Sequence, residues 1–210
     1  DYDAAQRVDY FIANSKDVQA RIKKFYRRDS VVIYPPVGVE RLQATAYRLQ
    51  QENRKVAGSS RSAIDKGYFL VVSRLVGAKG LELAVETMTK LKLPLKVVGR
   101  GAGYSVTEDE LKRKAGKSVE FLGYVSDLEL AELYRGARAF LALSKDEDFG
   151  ITPVEAMMCG TPVIAYKGGG YKETVVDRRT GILVVDLTVG SLTMAIDNFV
   201  DMEKKGLWKS

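Results

Sequence analysis

Asp146-Glu147-Asp148-Phe149-Gly150-Ile151-Thr152-Pro153-Val154-Glu155-Ala156-Met157-Met158-Cys159-Gly160-Thr161-Pro162-Val163-Ile164-Ala165 follows an apolar run, Ala137 to Leu143, that is too short for a helix and reads as a buried strand. The acidic cluster therefore lies on the loop at that strand's carboxyl end. Thr152-Pro153-Val154-Glu155 has the form of a helix start, with Thr152 as N-cap, Pro153 at the first helical position and Glu155 completing a capping box. Gly160 is placed to close this short helix in the left-handed conformation, and Thr161-Pro162 delivers the chain to a second strand, Val163 to Tyr166. The unit is strand, acidic loop, helix N-terminus, strand. A helix N-terminus, with its unpaired N–H groups, attracts anions.

Outward from this unit the same alternation repeats. Strand Tyr68 to Ser73 precedes a helix from Gly80 to Lys90 with Leu81, Ala84, Val85 and Met88 on one face. Strand Leu95 to Val98 precedes a helix whose box is Thr107-Glu108-Asp109-Glu110, and strand Val119 to Leu122 precedes one that starts Ser126-Asp127-Leu128-Glu129. Strand Ile182 to Val185 and a helix from Val189 to Lys204 follow. Six strands alternating with helices predict an α/β fold, a doubly wound, Rossmann-like parallel sheet with helices on both faces.

Before this region, Val8 to Asn14 predicts a strand, Ser15 caps a helix through Tyr26, and Val31 to Tyr34 predicts another strand, stopped by Pro35-Pro36. Residues 37–66 are polar, with a flexible centre at Gly58-Ser59-Ser60, and read as a connection between two bodies. The expected division is residues 1–36, a linker over 37–66, and a sheet domain over 67–210.

The 210 residues, 46% hydrophobic and 29% charged, match one globular core with a flanking segment. No apolar run approaches the roughly 20 residues that span a bilayer, and no signal-peptide pattern opens the chain. It begins with Asp1, which reads as part of a longer polypeptide. A lone cysteine, Cys159, excludes an internal disulfide and a Cys-rich zinc site, and a reducing, cytoplasmic setting is expected. The absence of histidine removes the commonest general base and metal ligand, leaving acid–base chemistry to carboxylates, Lys, Tyr or a substrate.

A net charge of +6 favours an anionic partner, but the basic residues are dispersed. Arg21 to Arg28 and Lys112-Arg113-Lys114 read as solvated helix faces, with peripheral contact to an anionic membrane as the alternative. No basic motif interleaved with aromatics points to nucleic acid.

In a doubly wound sheet, ligands sit outside the carboxyl ends of the strands. The loops there carry Arg74 and Lys79, then Gly99-Arg100-Gly101-Ala102-Gly103, then Gly123, Val125 and Asp127, then Glu147 to Ile151, then Gly168-Gly169-Gly170. Cations, glycine-rich turns and a helix N-terminus beside a carboxylate describe a site for a phosphate ester that also bears hydroxyl groups. The glycine turn at 99–103 lacks the ending of a P-loop and the spacing of a dinucleotide fingerprint.

Glu147-x7-Glu155, embedded in Glu-Asp-Phe-Gly-Ile-Thr-Pro-Val-Glu-Ala-Met-x2-Gly-Thr-Pro-Val-Ile-Ala, resembles the motif of retaining GT-B glycosyltransferases of family 4. Ser73-Arg74-Leu75 with Lys79-Gly80, Phe121-Leu122-Gly123-Tyr124-Val125, and Gly169-Gly170-x2-Glu173 are similar to that family's other landmarks, in the same order over residues 68–186. Residues 9–37 look like the tail of the family's acceptor half and its linker. The resemblance implies the C-terminal, donor-binding half of a GT-B fold, with the family's active-site histidine in the half that is missing here.

It further implies that Arg74 and Lys79 hold a donor diphosphate without a metal, that Glu147 takes the donor sugar's hydroxyls and that Glu155 takes the ribose. Backbone N–H groups of Phe149, Gly150, Ile151 and Thr152 would meet sugar and phosphate, Gly99 and Arg100 would border the donor, and Val125 and Asp127 would flank the base. Asp127 opposite guanine, together with the mannosyltransferase-like wording of the motif, favours GDP-mannose over a UDP-sugar. The acceptor, a saccharide or a lipid-linked one, would be met by the missing half. Asp148 stands where the family most often has glycine. Two rivals are a metal-dependent transferase using Asp146 and Asp148 as an Asp-x-Asp pair, and a nucleotide-sugar binding module without turnover.

Overall fold

The computed structural model describes residues 1–38, 67–75, 79–101 and 106–208. The expected linker, from residue 39 on, and Ala102-Gly103 of the glycine turn lie outside the described residues, as does the side chain of Thr107.

The core is a six-stranded parallel sheet of β3 (Tyr68–Val72), β4 (Leu95–Val98), β5 (Val119–Gly123), β6 (Ala137–Ala142), β7 (Val163–Tyr166) and β8 (Gly181–Val184). The spatial order is β5-β4-β3-β6-β7-β8, so the chain builds outward from β3 in one direction and then from β6 in the other. Alternate residues feed two cores, as a period of two requires. Phe69, Val71, Ala139, Leu141 and Leu143 meet Leu81, Ala84, Val85 and Met88 of α3 (Leu81–Leu91), Leu111 of α4 (Val106–Lys114), and Leu192, Ile196 and Phe199 of α8 (Val189–Lys204). Leu70, Phe140 and Ala142 meet Ala131 and Tyr134 of α5 (Asp127–Gly136), Ala156 of α6 (Ile151–Met158) and Tyr171 of α7 (Tyr171–Thr174). Consequently α3 and α6, the helices that leave the two central strands, lie on opposite faces of the sheet.

Local signals place most ends. Ser126 and Glu129 form the reciprocal capping box at the start of α5. Gly160 follows α6 with φ of 81°, and the Thr161 N–H reaches back to the Ala156 carbonyl. Helix α4 starts at Val106, one residue before the expected Thr107, and Glu108 accepts from the Gly101 N–H rather than serving a cap. Gly99, at φ 136°, is required for a different reason: a Cβ there would stand 1.8 Å from the Ser73 carbonyl oxygen where β3 and β4 end side by side.

The flanking segment contains α1 (Tyr2–Ala5), β1 (Ile12–Ala13), α2 (Lys16–Tyr26) and β2 (Val31–Val32). Its strands are shorter than expected, and among the described residues β1 and β2 pair only with each other, in parallel. The basic cluster of α2 is largely engaged. Arg28 donates to the carbonyls of Ala5, Gln6, Val8 and Asp9, Lys23 pairs with Asp29, and Arg21 pairs with Asp148. Among the described residues no helix is long and apolar enough to cross a membrane.

Glu173 fastens this segment to the sheet domain. Its carboxylate accepts from the N–H groups of Lys16 (3.0 Å) and Asp17 (3.1 Å) and from the Tyr34 hydroxyl (2.9 Å). The acceptor is supplied from across the chain to the N-terminal end of α2, where N–H groups lack intrahelical partners and favour negative charge. Burial raises the Glu173 pKa, but these N–H and O–H donors and the Lys16 charge outweigh it, so the carboxyl lies below its ordinary value of 4.5.

Two expectations follow. Gly99→Ala should destabilise the chain by about 2–4 kcal/mol, read as a lower urea midpoint, because a non-glycine residue is strained there and meets backbone. A depressed folded pKa means that the Glu173 contacts are intact above 4.5 and weaken as the pH falls below it. Amide exchange at Lys16 and Asp17, corrected for intrinsic rates, should accelerate on that descent, and Glu173→Gln should flatten the dependence.

Candidate functional site

Between β3 and β6 the winding direction reverses, and the diverging helices leave a crevice at the strands' carboxyl ends. A cleft of about 390 Å³ occupies it. Its floor is the end of β3 with Ser73 and Arg74, and the end of β6 through Ser144; its wall is the loop from Glu147 to Thr152, with Lys79 and Tyr171. Asn14 and Pro35 close it from the flanking segment. The size suits a small ligand. A second cavity of about 290 Å³ lies at the opposite ends of the strands, where Arg138 is held by Glu203 at 2.5 Å.

The cleft is internally neutralised. Lys79 Nζ lies 2.8 Å from Glu147 Oε2, and both groups are largely withdrawn from solvent. The Tyr171 hydroxyl stands 3.5 Å from the same oxygen. Burial first, and the Glu147 charge second, push the Tyr171 phenol upward, so it remains a donor at neutral pH. Glu147 is aimed by the glycine loop: the Gly170 N–H donates to its carbonyl at 2.8 Å, and a Cβ on Gly169 would fall 2.2 Å from that carbonyl oxygen. Arg74 is exposed at the mouth of the cleft.

The three consecutive acids are separated by where their partners lie. Asp146 faces solvent, Glu147 turns in to Lys79, and Asp148 reaches Arg21 of α2. Among the described residues no group of three or more His, Cys, Asp or Glu side chains converges as metal ligands would.

Helix α6 corrects one expectation. Its N-cap is Gly150, at φ 85° and without a side-chain cap, so Thr152 and Pro153 are the second and third helical residues and no capping box forms. Proline is accommodated at that depth because the third N–H has no helical partner. The start of α6, with the N–H groups of Ile151 and Thr152, is therefore left uncapped at the cleft. Phe149 is buried beneath, its ring 5.8 Å from that of Tyr34. Glu155 falls in the second turn, outside the cleft lining, and accepts from the Tyr134 hydroxyl at 2.9 Å. Burial, reinforced by Glu155, pushes the Tyr134 phenol well up, and also pushes the Cys159 thiol to about 11, which leaves it unreactive at neutral pH.

Thus Arg74, Lys79, Glu147, Phe149, Gly150, Ile151 and Thr152 share one cleft. Gly99, Arg100, Val125 and Asp127 lie on the same rim but beyond that lining, at the ends of β4 and β5. There Arg100 stacks on Tyr124 at 5.6 Å and Val125 packs against the core under α5. Sequence reasoning missed Tyr171, which directly follows the glycine loop and had that signal, and Asn14, which had none.

Residues 53–206 match the family described as "Glycosyl transferases group 1". A D-inositol 3-phosphate glycosyltransferase of Catenulispora acidiphila is 28% identical over 95% of the chain and 49% of its own length. Mannosylfructose-phosphate synthase of Agrobacterium fabrum is 32% identical over 64% of the chain and 30% of its own length. Among solved structures, Anabaena Alr3699/HepE in complex with UDP and glucose superposes with a TM-score of 0.78 at 23% identity, over 99% of this chain and 58% of that one. Sucrose-phosphate synthase of Thermosynechococcus elongatus gives 0.76 at 25%, over 95% and 51%. The chain spans about half the length of these relatives or less. With the family match covering most of its residues, the chain belongs to the group 1 glycosyl transferases.

Proposed function

We propose that this chain is the donor-binding half of a retaining hexosyltransferase that carries a sugar from a nucleoside diphosphate to an acceptor hydroxyl. The observation that carries the reading is the switch-point cleft, where two cations, a carboxylate and an uncapped helix N-terminus converge. Arg74 and Lys79 hold the diphosphate and stabilise its departure, as fixed charges in a partly dry cleft do. Glu147 receives the hexose hydroxyls, aided by the N–H groups of Phe149, Gly150, Ile151 and Thr152. No metal takes part: Asp148 is committed to Arg21, which argues against an Asp-x-Asp site.

On the outer rim, Gly99 and Arg100 border the donor, Val125 packs on the base and Asp127 reads it, while Glu155 bonds the ribose. An acidic acceptor at position 127 suits guanine, which favours GDP-mannose. A UDP-sugar is the second reading, favoured by the structural neighbours solved with UDP and UDP-glucose. The acceptor, a saccharide or a lipid-linked one, meets a further half beside residues 1–36, and the setting is cytoplasmic, with no nucleic acid involved.

The ion pair sets the order of events. Diphosphate draws Lys79 from Glu147 and leaves the carboxylate for the hydroxyls. Calorimetric titration with GDP, UDP and ADP, in chelator and again with magnesium, tests this. Selective binding of GDP or UDP that persists in chelator is expected, and Arg74→Ala or Lys79→Ala should weaken it about 10- to 100-fold, the worth of a charge-assisted hydrogen bond. Binding seen only with magnesium would overturn the metal-free reading. In Glu147→Gln, nucleoside diphosphate affinity should hold or rise, because Lys79 loses its rival partner, while the gain contributed by an attached sugar should fall. A sugar gain as large in Glu147→Gln as in the unmodified chain would refute the Glu147 assignment.

A further inference from the structure

The Glu147 carboxylate has two side-chain neighbours in the cleft, and both stand on one oxygen. Lys79 Nζ takes Oε2 at 2.8 Å and the Tyr171 hydroxyl lies 3.5 Å from the same atom, while no described group bonds to Oε1. Tyr171 is the first residue of α7, directly after the glycine loop, and is 4% exposed. Its ring packs on the start of α6, where a Cβ on Gly150 would stand 2.6 Å from the ring's Cε1. Its backbone is set by the same wall, since a Cβ on Gly170 would meet the Asp148 carbonyl oxygen at 2.5 Å. Beyond β6 the Ser144 N–H donates to the Tyr171 hydroxyl oxygen. With that lone pair occupied, the hydroxyl's own hydrogen is left for Glu147.

A diphosphate treats these two partners differently. It draws an ammonium strongly, because both are charged, but it has little hold on a neutral phenol packed under Gly150 and already bonded to Ser144. A glutamate released by its cation would regain its side-chain torsions, and ordering them again costs free energy when a sugar arrives. Resting on the donor-half reading, we infer that Tyr171 is the positioning residue of Glu147: its phenol keeps Oε2 after Lys79 has gone to the diphosphate, and so presents Oε1 to the hydroxyls of the donor's hexosyl group. The contact is long while Lys79 shares the oxygen and shortens on the exchange, as hydrogen bonds of an empty site do when the ligand completes it.

The test is a double-mutant cycle on the 210-residue chain, comparing it with Tyr171→Phe, Glu147→Ala and the two combined. UDP is titrated against UDP-glucose and GDP against GDP-mannose, and the readout is the ratio of nucleotide-sugar to nucleotide affinity for whichever base binds. Phenylalanine keeps the ring against Gly150 and removes only the hydroxyl. Tyr171→Phe should lower the ratio about 3- to 10-fold, the worth of one hydrogen bond, and change nucleotide affinity less than about twofold. In the Glu147→Ala background the same change should move the ratio less than about twofold, because a positioning residue then has nothing to position. A ratio unmoved by Tyr171→Phe alone, or lowered equally in both backgrounds as a packing role would lower it, overturns this inference alone. A ratio unmoved by Glu147→Ala overturns the Glu147 assignment and this inference with it. Failure of the unmodified chain to bind either nucleotide overturns the donor-half reading itself.

Discussion

Parallel pairing of β3 with β6 is the constraint on which the rest of the structure depends. These two strands share the middle of the sheet, but their following connections turn to opposite sides, sending α3 to one face and α6 to the other. Among the described residues no helix covers the gap between them, so the carboxyl ends of both strands open into one crevice. Ser73 and Arg74 arrive there because β3 ends there, and the acidic loop arrives because β6 does. Placement of the chemistry is thus a consequence of sheet order, not of any residue in the cleft.

Charge within the crevice must then balance without a ligand. Three successive acids would repel one another if all faced inward, and two cations in a half-closed cleft would do the same. The chain resolves both problems with long-range pairs, Lys79 with Glu147 and Asp148 with Arg21, while Asp146 stays in water. Under the proposed function, the Lys79–Glu147 pair would have a cost for binding, since an incoming diphosphate would compete for the ammonium, and a use, because the same competition would release the carboxylate to accept from the sugar's hydroxyl groups.

Local chemistry was legible and distant chemistry was not. Strands β4 and β7 and helix α8 coincide with their expected ranges, because short apolar runs and cap residues are signals carried within a few residues. The start of α6 shows where such signals mislead. Thr152-Pro153-x-Glu155 has the composition of a cap followed by a first turn, yet Gly150 begins the helix two residues earlier by taking a left-handed φ. That shift moves Glu155 into the second turn, where it meets Tyr134, a residue 21 positions away with no local mark of the contact. Strands β1 and β2 were overestimated for a related reason: their composition supports longer strands, but among the described residues each finds a single partner strand. The Glu173 contact with the end of α2 joins positions 157 and 156 apart, and no period or motif encodes it.

That last contact ties the two levels together. Residues 1–38 would have little to hold them to the sheet domain by apolar packing alone, since Tyr10, Ile12, Phe25, Val31 and Ile33 are all exposed. What fixes them is polar and directional: a carboxylate on backbone N–H groups, a hydroxyl on the same carboxylate, and a guanidinium on Asp148. Directional bonds specify position more sharply than apolar contact does. Asp148 belongs to the loop that walls the cleft and Glu173 to α7, which follows the glycine loop and brings Tyr171 to the cleft, and the glycine loop touches the Glu147 loop through its own backbone. Lys16, Asp17 and Arg21 of α2 are thus joined, through Glu173 and Asp148, to the stretch of chain that carries Glu147.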